Sequence, residues 1–90
     1  LTPEAFTLSD AYPNPFNPST TIDFSVPIES MVDIGIYDIS GRNIQTLARD
    51  NYQPGNYSIS WDASGYSSGV YFIKMVSKEF TDTKKLMLIK

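Results

Sequence analysis

Apolar and polar residues alternate along most of this chain with a period of two, the mark of β-strands with one wet face. Residues 21–26 place Ile22, Phe24 and Val26 on one side and stop at Pro27; residues 30–38 do the same with Val32, Ile34 and Ile36. Residues 43–47 form a further alternating run, and residues 56–62 another with Tyr57, Ile59 and Trp61 inward. Phe6 and Leu8 alternate with Thr7 and Ser9 as a short edge strand would. The densest apolar run, residues 68–76, breaks the pattern: Val70, Phe72 and Val76 fill one side while Tyr71, Ile73 and Met75 fill the other. This predicts a strand in mid-sheet, covered on both faces. The closing run, Lys85, Leu86, Met87, Leu88, Ile89 and Lys90, is joined to it by a polar link, residues 77–84, short enough for a hairpin.

Turn signals separate the runs. Asp38, Ser40 and Gly41 predict a tight turn, Pro54-Gly55 another, and residues 63–68 a loop of small residues. Asp38 and Asp62 are placed to cap turns with their carboxylates. Residues 11–20 differ from the rest. Pro13, Pro15 and Pro18 forbid helix and remove backbone donors, Asn14 and Asn17 suit turns, and Tyr12 and Phe16 offer apolar anchors. A stiff, extended crossing is expected there, not a flexible linker. About seven short strands at roughly 8–12-residue spacing, with no helical period, predict an all-β chain of two antiparallel sheets packed face to face.

Composition narrows the chemistry more than the fold. Ninety residues, 41% of them apolar, suit one small domain with a modest core. No run approaches the ~20 apolar residues of a membrane helix, so no membrane insertion is expected. The chain opens Leu1-Thr2-Pro3-Glu4, without a signal peptide or an initiating Met, which predicts a fragment of a longer protein. A net charge of −3 argues against nucleic acid. Lys84, Lys85 and Lys90 follow the last acid, Asp82; on a solvated strand edge they discourage edge-to-edge pairing. Without Cys or His, disulfides, thiolate sites and Ser/His/Asp or Cys/His nucleophiles are excluded within this chain, and zinc loses its usual ligands. The acids form neither a calcium loop nor an evident catalytic pair. No catalytic residue, metal or cofactor is therefore expected, and an enzyme is the weakest function class. Tyr57 and Trp61 alternate with polar residues and so belong to the core, not to a sugar-stacking face.

Three stretches then combine. They are Tyr12-Pro13-Asn14-Pro15-Phe16-Asn17-Pro18-Ser19-Thr20-Thr21-Ile22; Ile36-Tyr37-Asp38-Ile39-Ser40-Gly41-Arg42, with Leu47 after it; and Trp61-Asp62, Ser68-Gly69-Val70-Tyr71-Phe72 and the closing Lys85 to Lys90. Together they resemble the type A C-terminal sorting domain of the type IX (Por) secretion system of Bacteroidetes-type bacteria, related in fold to the immunoglobulin-like domain of the flagellar hook-capping protein. The resemblance covers nearly the whole chain. It implies a seven-stranded immunoglobulin-like β-sandwich, with residues 1–90 as a single C-terminal sorting domain. It implies an export signal for a cargo linked covalently upstream. The implied partners are the outer-membrane machinery of type IX secretion and a sortase-like surface peptidase that removes the domain, cutting at or before Leu1. The implied route runs through the periplasm to the cell surface or the medium.

The resemblance also marks sorting-motif candidates: Pro13, Asn14, Pro15 and Phe16 at the proline motif, Gly69 and Tyr71 at the Gly-x-Tyr motif, and Lys85, Leu86, Met87, Leu88, Ile89 and Lys90 at the terminal strand. Each has a structural alternative. The prolines can simply fix a crossing between sheets, Gly69 can be needed for space or for a positive φ, and Tyr71 can be core. A terminal strand ending in Lys90 at an exposed sheet edge suits recognition by β-augmentation, or pairing with a second copy. The rival class is a non-catalytic accessory β-sandwich of an extracellular protein: a spacer, carbohydrate-binding or assembly module. Such a module would tolerate loss of the last residues, which an export signal would not.

Overall fold

The alternating runs become antiparallel strands in the computed structural model, which describes residues 3–78 and 80–90. In chain order they are β1 (Thr7–Leu8), β2 (Ser19–Val26), β3 (Ser30–Tyr37), β4 (Asn43–Tyr52), β5 (Gly55–Asp62), β6 (Gly69–Ser77) and β7 (Phe80–Leu88). One sheet has the order β1-β2-β5 and the other β4-β3-β6-β7. The result is the expected all-β, immunoglobulin-like sandwich, with β4 on the sheet of β3, β6 and β7. Ile22, Phe24 and Val26 of β2 enter the same core as Val32, Ile34 and Ile36 of β3 and Ile73 and Met75 of β6. Burying each such side chain is worth about 1.5–3 kcal/mol relative to exposure, so the period of two in the sequence is what drives the two layers together.

β6 lies mid-sheet as expected, between β3 and β7, but only one of its faces is covered. Tyr71, Ile73 and Met75 point into the core, whereas Val70 and Phe72 are half-buried and Val76 is exposed. A two-layer sandwich has no third layer to cover the outer face of a sheet.

β7 starts at Phe80, not at Lys85, and pairs with β6 from Ser77↔Phe80 to Gly69↔Leu88. Its early half is hidden in the sequence because Asp82 and Lys84 occupy inward positions. At the open rim of the sandwich these charges find each other and Asp10: Lys84 Nζ lies 3.9 Å from Asp82 and 3.8 Å from Asp10. Inward charges also make an edge strand a poor template for a stranger's strand. β4 continues past Leu47 to Tyr52, and two register shifts against β3 interrupt its alternation. β7 ends at Leu88, leaving Ile89 and Lys90 beyond it. Leu1 and Thr2 of the entry segment, and Glu79 of the expected link, lie outside the described residues.

Both capping carboxylates act as expected. Asp38 Oδ1 accepts from the amides of Ser40 (3.0 Å) and Arg42 (3.1 Å) and from the Ser40 hydroxyl (2.6 Å). The Ser40 hydroxyl and the Arg42 amide favour the charged form and hold its pKa down, from 3.8 to about 2. Gly41, at φ 86°, takes the left-handed step of this turn. Asp62 Oδ1 accepts from the Ser64 amide at 3.0 Å in the loop after β5.

Candidate recognition site

The N-terminal segment begins in one sheet and ends in the other. Beyond β1, the Ser9 amide donates to Asp23 O, and Tyr12 and Thr21 exchange backbone bonds of 2.9 and 3.0 Å along the edge of β2. The Tyr12–Pro13, Asn14–Pro15 and Asn17–Pro18 peptide bonds that follow are cis. By Phe16 the chain has reached the outer edge of β7, where Phe16 pairs in parallel with Leu88. The Phe16 amide donates to Met87 O, and the Ile89 amide to Phe16 O, each at 2.9 Å. The Thr20 hydroxyl pins the crossing through Pro13 O (2.7 Å), and the Ala63 amide pins it through Pro18 O (2.9 Å). The crossing foreseen from the prolines is present, but only one of its two apolar anchors is. Phe16 is 2% exposed; Tyr12 is 81% exposed, because it pairs through its backbone and its ring faces water.

Asn14 completes the seam with its side chain. Flanked by Pro13 and Pro15, which have no N–H, this stretch has few backbone donors with which to pair. A carboxamide offers a donor and an acceptor side by side, as a peptide group does. Asn14 Nδ2 donates to Lys85 O at 2.9 Å, and its Oδ1 accepts from the Met87 amide at 3.0 Å. The edge of the terminal strand from Lys85 to Ile89 is therefore already occupied, not open as its position in the sequence suggests. The chain's own proline segment fills the place that an added strand would take.

The Gly-x-Tyr pair supports the same end of the sandwich. Gly69 pairs with Leu88 at φ 152°, with open space where a Cβ would stand. Its role is a backbone conformation that L side chains rarely adopt, not room for a neighbour. Tyr71 is buried, and its hydroxyl donates to Ser67 O at 2.6 Å, four residues back, as a tyrosine corner. Its ring meets Trp61 edge-on at 5.4 Å between centroids, and Trp61 lies 5.6 Å from Phe16. The proline motif and the Gly-x-Tyr motif thus share one aromatic neighbour. Trp61 Nε1 and the Tyr66 hydroxyl both donate to Gln45 Oε1 at 3.1 Å. Gln45 and Tyr66 carry no sequence signal for this role, which exists only once β4 and β5 face each other.

Of the terminal residues, Leu86 and Leu88 are core, while Lys85, Met87, Ile89 and Lys90 are exposed. The Lys90 amide donates to Ser68 Oγ at 3.0 Å and its ammonium to Ser64 O at 2.8 Å, which ties the tail to the loop before β6. The three motifs, scattered in sequence, come together at one end of the fold.

This geometry defines a class, an immunoglobulin-like sandwich in which a proline segment is laid against the terminal strand. The family model for the secretion system C-terminal sorting domain matches residues 10–90, and the chain belongs to that family. It is a sorting signal of type IX secretion, which exports proteins to the cell surface or the medium. No curated protein and no solved structure matches the chain.

Proposed function

We propose that the outer-membrane machinery of type IX secretion recognises this domain at the end where Pro13 to Phe16, Gly69 to Tyr71 and Lys85 to Lys90 meet. A cargo linked upstream is carried from the periplasm across the outer membrane by that recognition. A sortase-like peptidase then removes the domain, which is a substrate and performs no chemistry of its own. Residues 1–90 act as one signal unit. The observation that carries this reading is the seam. Asn14 and Phe16 form four hydrogen bonds with Lys85, Met87 and Ile89, so any signal in the tail depends on residues far upstream.

The test joins the domain to a signal peptide and a fluorescent reporter, in a bacterium with type IX secretion and in a matched secretion-deficient strain. Reporter at the surface or in the medium of the competent strain alone is the expected result. A second version lacks only Ile89 and Lys90. Leu86 and Leu88 stay, because they are 0% and 1% exposed and losing a buried leucine costs about 2–5 kcal/mol. Circular dichroism checks the fold of both versions. Loss of export by the folded truncation assigns the signal to the tail. Retention of the intact fusion in the periplasm of both strains, beside a known signal that is exported, would sink the reading.

A further inference from the structure

The outward face of the four-stranded sheet carries a patch that the seam leaves free. Tyr37, Phe72 and Lys85 stand in one row across β3, β6 and β7, with Val70 and Met87 in the row beside them. Lys74 lies over the Tyr37 ring, 5.6 Å from its centroid. A depression of ~250 Å³ opens among Tyr37, Ile39, Phe72 and Lys74. Ile39 on its rim is 77% exposed, a large apolar side chain held in water. Asp38, also on the rim, is engaged by Ser40 and Arg42, while Lys74 and Lys85 have no ion-pair partner among the described residues.

The outer face of the three-stranded sheet has the opposite character. Thr7 bonds Ser25, Thr21 bonds Ser60, and Ser58 bonds Asp23, a cover of hydroxyls and one acid. In a chain of net charge −3, the basic, apolar patch is a local reversal of sign.

We infer that this patch, and not the edge of β7, docks onto the export machinery. Its partner is a protein surface with an apolar side chain that enters the depression and carboxylates that meet Lys74 and Lys85. Strand addition between Lys85 and Ile89 is blocked, because Asn14 and Phe16 already bond the outward groups there. The same bonds fix β7 in register with β6, so that Lys85 and Met87 face outward beside Phe72 and Val70. The inference rests on the sorting function proposed above and names the surface that function uses.

The test uses the full domain with its reporter and compares charge reversals within one hairpin. The double variant Lys74→Glu/Lys85→Glu is expected to lower export at least ~10-fold, since like charges then meet across the interface. Ile39→Ser lowers export with an unchanged melting temperature. Lys78→Glu, in the β6–β7 turn away from the patch, leaves export unchanged. Circular dichroism and thermal melts establish that each variant is folded. Wild-type export of the folded double variant overturns the inference and leaves the sorting function standing. Failure of the unaltered domain to be exported sinks the sorting function itself. Normal export with lost adsorption to lipopolysaccharide vesicles would assign the lysines to a membrane surface and overturn the protein partner.

Discussion

One carboxamide joins Asn14 to Met87 across 73 positions of sequence, accepting from its amide at 3.0 Å while donating to the carbonyl of Lys85. Asn14→Ala removes both bonds. At about 0.5–1.5 kcal/mol net for each, the loss is about 1–3 kcal/mol in urea unfolding. Hydrogen exchange at the Met87 amide should accelerate more than exchange at Met75 in β6, which reports only the global loss. Unchanged exchange at Met87 would mean that the carboxamide does not hold the strand.

Gly69→Ala places a side chain in open space but at φ 152°, so any cost is conformational. The expected loss is about 1–3 kcal/mol. Gly65→Ala is the control: it too has open space, without a positive φ, and should stay within about 0.5 kcal/mol of the parent. Equal melting temperatures for the two variants would refute the backbone role of Gly69.

Tyr71→Phe keeps the ring against Trp61 and deletes the 2.6 Å bond to Ser67 O. A destabilisation of about 1–2 kcal/mol is expected, with the near-ultraviolet circular dichroism of the aromatic cluster retained. A loss of that signal would show that the hydroxyl positions the ring and does more than brace the corner.

Asp38 predicts an acid limb in the stability of the β3–β4 turn. Its folded pKa of about 2 lies below the ordinary 3.8, so the carboxylate stabilises the fold fully above the higher value. That contribution fades as pH falls through about 2, where the folded-state group is protonated. An NMR titration of the Asp38 side-chain carboxyl should give a midpoint near 2, and Asp38→Asn should flatten stability between these two pH values. A midpoint at 3.8 would leave the turn without this support.

β2, β3 and β5 are legible in the sequence because most of their inward positions are apolar and most of their outward positions polar; the buried Thr20 and Ser30 are the polar exceptions inside. The first half of β7 is not, since Asp82 and Lys84 sit on its inner face at a rim where charge still reaches water. β6 misleads in the other direction. Its Val70 and Phe72 look like the second buried face of a central strand, yet they face outward and form part of the basic, apolar patch. The apolar excess was visible; what it faces was not, because only the layer count decides that. Asn14 reads as a turn residue, and its actual partners are set by where the crossing meets β7. For Gly69 the residue type leaves space and φ as alternatives, and only the backbone geometry selects φ.

The seam between the proline segment and β7 also orders events in time. Asn14 leaves the ribosome more than seventy residues before Lys85 and Met87, its partners. Contacts this distant in sequence close late, after the loop entropy between them has been overcome. A chain interrupted before Lys85 lacks every β7-side partner of Asn14 and Phe16, and two core leucines as well. The folded end can be displayed only by a product translated through its last strand. Assembly of this end is thereby a test of length, which a chain stopped short of the last residues of β7 fails.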